Sequence, residues 1–151
     1  MAEFKGIILP DDLYYEPKEH IWVKVEGGNR VKVGLDAFAV AATGGNTQYV
    51  KLKPAGSPVK KLKPFGSIEA GKYIGPLRAP VEGQIVEVNR KIIDSPTLVN
   101  TDPFGEGFFV YIEASNLEGD LKGLVGGAGD IQKWLEEQYA EYEAKGTFEK
   151  K

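Results

Sequence analysis

Cysteine is absent from this 151-residue chain, and histidine and methionine occur once each, as His20 and Met1. Without cysteine there is no disulfide framework, no thiolate metal site and no cysteine nucleophile. One histidine is too few to anchor a metal centre of the usual imidazole or thiolate kind. It could act as a catalytic base, but the four serines, Ser57, Ser67, Ser95 and Ser115, all lie outside any Gly-x-Ser-x-Gly elbow. His20 is therefore read as structural, at the start of a strand beside Trp22. Thiol chemistry, if the protein has any, must come from an attached group. Long apolar runs are also missing. The opening Met1-Ala2-Glu3-Phe4-Lys5-Gly6 leads only into Ile7-Ile8-Leu9 before Pro10. That is no signal peptide, and no segment approaches the roughly 20 apolar residues of a membrane span. The expectation is a cytoplasmic protein with no membrane partner. A basic excess is lacking too: Lys+Arg number 19 against Asp+Glu 22, a net charge of −3. That balance argues against nucleic acid, which needs a cationic face to displace phosphate counterions.

What is present is the 42% hydrophobic and 27% charged balance of a globular domain. Thirteen of the nineteen Gly and all nine Pro fall in the first 113 residues and cut them into short segments. His20 to Glu26, Asn29 to Leu35, Thr47 to Lys53, Gly83 to Asn89 and Gly107 to Glu113 carry the β-branched and aromatic content of strands. Gly27-Gly28 reads as a tight hairpin turn. Asp36 to Thr43 reads as a short helix opened by an N-cap residue and closed before Gly44-Gly45. A second helix is expected from Ile131 to Lys145, with Asp130 as N-cap and Gly146 as stop. Ile131, Trp134, Leu135, Tyr139 and Tyr142 then form one apolar stripe suited to docking on a core. The Gly-rich stretch from Gly123 to Gly129 reads as a flexible joint. The pattern predicts a β-rich domain over residues 1–125 with a helical appendage over 126–151. Strand-like pieces flank Gly71-Lys72, which puts that lysine at or beside a hairpin tip. Lys51, Lys53, Lys60, Lys61 and Lys63 read as a solvated face able to steer acidic partners.

The motifs in order resemble the glycine cleavage system H protein family. Leu13-Tyr14-Tyr15, His20-Ile21-Trp22-Val23 and Val33-Gly34-Leu35-Asp36-Ala37-Phe38-Ala39 are similar to its opening. Ile68-Glu69-Ala70-Gly71-Lys72 stands where the family has Glu-Ser-Val-Lys. Pro80-Val81-Glu82-Gly83-Gln84-Ile85-Val86-Glu87-Val88-Asn89 and Leu98-Val99-Asn100-Thr101-Asp102-Pro103-Phe104-Gly105-Glu106-Gly107-Phe108 resemble its later segments. The resemblance implies a mainly β fold, the lipoyl/biotinyl-type barrel-sandwich hybrid, with a short helix and the C-terminal helical appendage. It implies a carrier and no enzyme. Lys72 would be the attachment point of lipoate through an amide, and Glu69 the acidic residue recognised by lipoylating enzymes. Biotin is the rival cofactor on the same fold, but its lysine is normally flanked by Met, and here the flanks are Gly71 and Tyr73.

The departures from the family bear on the cargo. In the resemblance, an aminomethyl-loaded arm folds into a surface cleft where polar side chains hold its amine. The matching positions here are Ile21, Ala42 and Pro76, and an acid after the short helix is replaced within Gly45-Asn46-Thr47. A cation out of water needs such acceptors. Their loss, with the Gly71-Lys72-Tyr73-Ile74-Gly75-Pro76 context and the Trp134-Leu135-Glu136-Glu137 helix, resembles the H-protein relatives called lipoate-binding proteins. The expectation is therefore a shuttle of sulfur intermediates for a heterodisulfide-reductase-like complex in sulfur oxidation. The alternative is an H protein carrying the aminomethyl group from glycine decarboxylase to aminomethyltransferase. Expected partners are a lipoylating enzyme, one of those two systems, and dihydrolipoamide dehydrogenase. An unmodified scaffold or lipoylation relay on the same fold is the reading from a different functional class.

Overall fold

The computed structural model describes residues 1–44, 46–71 and 73–147. Short strands β1 (Ala2–Phe4) and β2 (Ile7–Leu9) make a two-stranded ribbon. There follow β3 (Tyr14–Tyr15), β4 (Ile21–Gly27), β5 (Arg30–Leu35), helix α1 (Ala37–Thr43), β6 (Thr47–Leu52) and β7 (Pro58–Val59). The hairpin β8 (Pro64–Ala70) and β9 (Tyr73–Arg78) comes next, then β10 (Gly83–Val88), α2 (Lys91–Asp94) and α3 (Leu98–Thr101). β11 (Val110–Ala114), α4 (Leu117–Leu121) and α5 (Ala128–Ala144) complete the described chain.

Two sheets dominate. One has the order β3-β4-β5-β11-β10-β7 and the other β6-β8-β9. Alternation sends every second side chain of each strand inward. Val31 and Val33 of β5, Ile85 of β10 and Ile112 of β11 thus meet Val50 of β6, Phe65 and Ile68 of β8 and Leu77 of β9 in one core. This is the mainly β barrel-sandwich that the sequence led us to expect. Four of the expected strands form within a residue or two of their expected bounds, and β4 and β5 close at Gly27 opposite Arg30. The fifth starts later, at Val110, because the Gly107 amide closes a turn on the Asp102 carbonyl instead of joining the ladder.

A second core lies outside the sandwich. It gathers Leu9 of β2, Tyr15, Trp22, Phe38 of α1, and Ile131, Trp134 and Leu135 of α5. The apolar stripe of α5 is thus a docking face, and Tyr139 and Tyr142 pack at its edge. Full burial of such side chains stabilises by roughly 1.5–3 kcal/mol each. The helix begins three residues before the expected Ile131, with Gly127 as its N-cap residue and Asp130 inside the first turn. The expected joint before it is pinned. Tyr15 and Val125 exchange backbone hydrogen bonds of 2.9 and 2.8 Å, and Gly126 lies against the Tyr14 ring.

His20 ties this second core to the sandwich. Its backbone is left-handed, φ 58°, an arrangement a non-glycine residue adopts only when its surroundings impose it. The ring lies between Phe38 and Trp134, with centroids 4.5 and 4.9 Å away. Its Nδ1 is 3.0 Å from Asp36 Oδ2, and its Nε2 is 2.9 Å from Gln138 Oε1. Gln138 donates its own amide to Glu141, which aims its oxygen at the ring. Acceptors at both nitrogens favour the doubly protonated, imidazolium form of the ring. Burial by itself would lower its pKa, but the charge and hydrogen bond of Asp36, helped by Gln138 and Glu16, raise it above 6.5. Asp36 is itself buried and uses its other oxygen to cap α1, accepting from Ala39 N at 2.9 Å. One carboxylate therefore fixes α1 and, through His20, α5.

Two predictions follow from this packing. Trp22 stands opposite Gly34, and a Cβ on Gly34 would come within 2.6 Å of the indole. Gly34→Ala is expected to lower stability by about 1–3 kcal/mol, as overpacking does. A urea midpoint equal to that of the parent chain would contradict the contact. Because the folded pKa of His20 is raised, its contribution is complete below about pH 6.5 and drains away as pH rises through the folded value. Denaturation curves from about pH 6 to about pH 9 should show stability declining in the parent and lacking that component in His20→Asn, which tolerates the left-handed backbone. Parallel curves for the two chains would refute the charged ring.

Candidate functional site

The hairpin comes first. Register pairs Ala70 with Tyr73, and Gly71 and Lys72 are the residues between them. Gly71 takes φ 58°, suited to a residue without a Cβ, and donates its amide to Asn46 at 3.1 Å. Lys72 itself lies outside the described residues. Glu69 pairs with Tyr49 on one side and Ile74 on the other. The adjacent row, Val50, Ile68 and Gly75, faces the core, so Glu69 points to the opposite, outer face. There it lies half-buried between an exposed Tyr49 and an exposed Ile74.

The inner side of the same hairpin forms one wall of a cleft of about 310 Å³. Ile68, Tyr73, Pro76, Leu77 and Arg78 come from the hairpin. Phe38, Ala39, Ala42 and Thr43 of α1 and Leu35 make the facing wall, and Tyr142 of α5 and Thr147 complete it. The loop of Lys18, Glu19 and His20, with Ile21 after it, borders the remaining side. That loop is built rather than loose. The buried Glu16 carboxylate accepts from the amides of Lys18, at 2.8 Å, and Glu19, while the Glu16 carbonyl accepts from His20 N at 3.0 Å. Trp134 Nε1 adds a bond to the Pro17 carbonyl at 3.2 Å.

Ile21, Ala42 and Pro76, far apart in sequence, do converge on this one cleft. Two charged residues that the motifs did not single out also line it. Glu19 supplies a carboxylate there, and Arg78 faces it with Nε 3.7 Å from Glu19 Oε1. Glu19 stands immediately before His20, so its proximity to the cleft could have been read from the same motif. Arg78 carried no comparable signal, since only the hairpin register brings it round. Of the basic run, Lys51, Lys53, Lys60 and Lys63 are exposed and Lys61 is half-buried, as a solvated face requires.

The lining suits a long, largely aliphatic group with a polar end. Ile21, Leu35, Phe38, Ala42, Ile68 and Leu77 give it apolar walls, and Glu19, Arg78 and Lys18 stand among them. Lipoate fits that description. Among the described residues no group of three metal-ligating side chains comes together, and no helix is long and apolar enough to cross a membrane.

Comparison with known proteins bears on the same region. The family model described as "Glycine cleavage H-protein" matches residues 13–138. The "Glycine cleavage system H protein 2" of Aquifex aeolicus is 42% identical over 136 residues, covering 90% of this chain and 84% of the relative. The "Glycine cleavage system H protein" of Carboxydothermus hydrogenoformans is 38% identical over 131 residues, covering 87% and 97%. The crystal structure of a glycine cleavage system H protein from Mycobacterium marinum superposes with a TM-score of 0.65 at 32% identity, covering 71% of this chain and 87% of that one. Sequence motifs, sandwich and hairpin thus agree over most of the length, and the chain belongs to the glycine cleavage H-protein family.

Proposed function

We propose that this chain is a carrier without catalytic activity of its own, holding lipoate in amide linkage on Lys72 and passing an aminomethyl group between glycine cleavage enzymes. The observation that supports it best is the β8–β9 hairpin, whose turn contains Lys72 in sequence and whose inner side chains Ile68, Tyr73 and Leu77 wall an apolar cleft. Lipoate supplies the redox-active sulfur that a Cys-free chain lacks. The other roles fall to the protein. Amide formation removes the charge of Lys72, so the modified side chain can lie along Leu35, Phe38 and Ala42 without burying a cation. Those walls exclude water from whatever is stowed there. Attachment at a hairpin tip keeps the cargo at high effective concentration for each docked partner. Glu69, on the outer face with Tyr49 and Ile74, is free of the cleft and suits recognition by the lipoylating enzyme. The names of the relatives support glycine cleavage enzymes as partners; within that reading the partners would be glycine decarboxylase and aminomethyltransferase, with dihydrolipoamide dehydrogenase to reoxidise the arm. Residues 1–125 would be the carrier domain and 126–151 the appended helical segment, working in the cytoplasm.

A second reading rests on the cleft's composition. Ile21, Ala42 and Pro76 present no acceptor to an ammonium group. That favours sulfur intermediates passed to a heterodisulfide-reductase-like complex. It ranks second, because the cleft retains a carboxylate in Glu19 and the relatives bear glycine-cleavage names.

Co-expression with a lipoylating system should add the mass of one lipoyl group, and Lys72→Ala should abolish the gain. An unmodified mass, or one indifferent to the substitution, would sink the carrier reading and favour a scaffold. Glu69→Ala is expected to leave folding intact but reduce the modified fraction at limiting lipoylating enzyme, and equal fractions would remove Glu69 from recognition. Reduced, lipoylated protein should then accept an aminomethyl group from glycine decarboxylase. Failure to load, alongside acceptance of sulfane sulfur, would put the second reading first.

A further inference from the structure

We propose that Leu62, in the turn of residues 60–63, is an anchor that enters an apolar socket on an acidic partner enzyme. The inference deepens the carrier reading and rests on it for which enzymes present such a socket. Among the described residues three that are not glycine take a positive φ: Lys5, His20 and Leu62. Lys5 keeps a polar side chain in water, and His20 is fixed by its buried ring. Leu62, at φ 65°, has neither reason. Its side chain is 43% exposed and belongs to neither core. The backbone is nonetheless pinned. Leu62 N donates to the Ala79 carbonyl at 2.7 Å, and the Leu62 carbonyl accepts from Arg78 Nη1 at 3.2 Å. Lys63 N closes the turn on the Lys60 carbonyl at 3.0 Å. A glycine would hold this geometry without steric cost. A leucine here bears both the left-handed strain and an apolar surface in water. An outlier that serves nothing inside the molecule points to a use outside it.

Charge says what kind of partner. Residues 37–68 hold five lysines and no acid, while the other fourteen basic residues stand against all 22 acidic ones. Lys51, Lys53, Lys60 and Lys63 are exposed, and among the described residues none of them makes an ion pair. Lys53 N donates to the Phe65 carbonyl at 3.0 Å, which sets the end of β6 beside the turn. An apolar knob ringed by unspent cations matches a socket with an acidic rim. An extended polyanion, whether a bilayer or a phosphate backbone, would also meet the acidic remainder of the chain. A protein can confine its acids to the patch. The position suits a carrier. Pro64 pairs with Arg78 at the open end of the β8–β9 hairpin, and Ala70 pairs with Tyr73 at its turn. The two ends are about 20 Å apart at the usual rise of a strand. A partner seated on Leu62 thus leaves the lysine turn uncovered, and the arm can reach the active site while the domain stays docked.

The test uses the full lipoylated chain as substrate for glycine decarboxylase, aminomethyltransferase and dihydrolipoamide dehydrogenase in turn. With at least one of them, Leu62→Gly should raise KM about tenfold at unchanged kcat, the worth of burying most of one leucine side chain. Lys60→Glu combined with Lys63→Glu should raise the same KM. Added salt should weaken the parent and leave that double variant nearly unchanged. The urea midpoint of Leu62→Gly should be no lower than the parent's, because the left-handed strain is gone. A clearly lower midpoint would give the leucine an internal role and overturn the proposal. Equal KM values for parent and variants with all three enzymes would overturn it and leave the carrier reading standing. A lipoylated parent that none of the three enzymes accepts would take the glycine-cleavage reading down with it. Binding to vesicles of phosphatidylglycerol and phosphatidylcholine, or self-association in sedimentation, that Leu62→Gly abolishes would also overturn it, in favour of a lipid surface or a second copy.

Discussion

The contact on which the rest depends is the buried pair of Asp36 and His20. A carboxylate and an imidazolium removed from water are expensive unless each oxygen and each N–H finds a partner. Here they do. Asp36 divides its oxygens between the imidazole and the first turn of α1, and His20 divides its nitrogens between Asp36 and a residue of α5. Aromatic rings close the two faces of the imidazole. The polar groups contribute positional uniqueness more than energy, because only one placement of α1 and α5 satisfies them all. Those two helices, with the Glu16 loop, are three sides of the cleft. The cleft therefore inherits its shape from a motif that makes no chemistry.

Much of this was legible in the residues. Alternation, β-branched content and turn chemistry gave β4, β5, β10 and β11 of the larger sheet and β6 of the smaller one. The N-cap Asp36 announced α1, and the 3.6-residue stripe of Ile131, Trp134, Leu135, Tyr139 and Tyr142 announced a docked helix. The short ribbon β1–β2 carried no such pattern. Three residues cannot declare a period. Ala2 is buried because α5, more than a hundred residues away in the chain, packs on β1, and Ile7 and Leu9 because α1 packs on β2. The four- and five-residue helices α2, α3 and α4 were illegible for the same reason. Asp130 looked like a cap because a helix start is normally marked by a side chain. At α5 the turn is set by Gly127 at φ 88° instead.

The site was half legible. Ile21, Ala42 and Pro76 were read as neighbours from the resemblance alone, and they are neighbours. Reading only the positions where a family keeps its polar groups gave a cleft stripped of acceptors. Glu19 escaped because its side chain direction depends on the left-handed turn at His20, which residue type does not foretell. Position along a strand decides which face a side chain meets, but a loop built on a buried carboxylate must be seen to be oriented.

The bond between His20 and Gln138 spans 118 positions, and that separation imposes an order on synthesis. Translation delivers the chain from its amino end, so the β8–β9 hairpin and its β6 neighbour emerge while α5 is still unmade. The lysine turn can therefore reach its final register on a ribosome-bound chain whose second core still lacks Trp134 and Leu135. The wall behind Glu19 closes only when the last helix is released. The outer face of the hairpin is thus complete early, while the cleft is finished last.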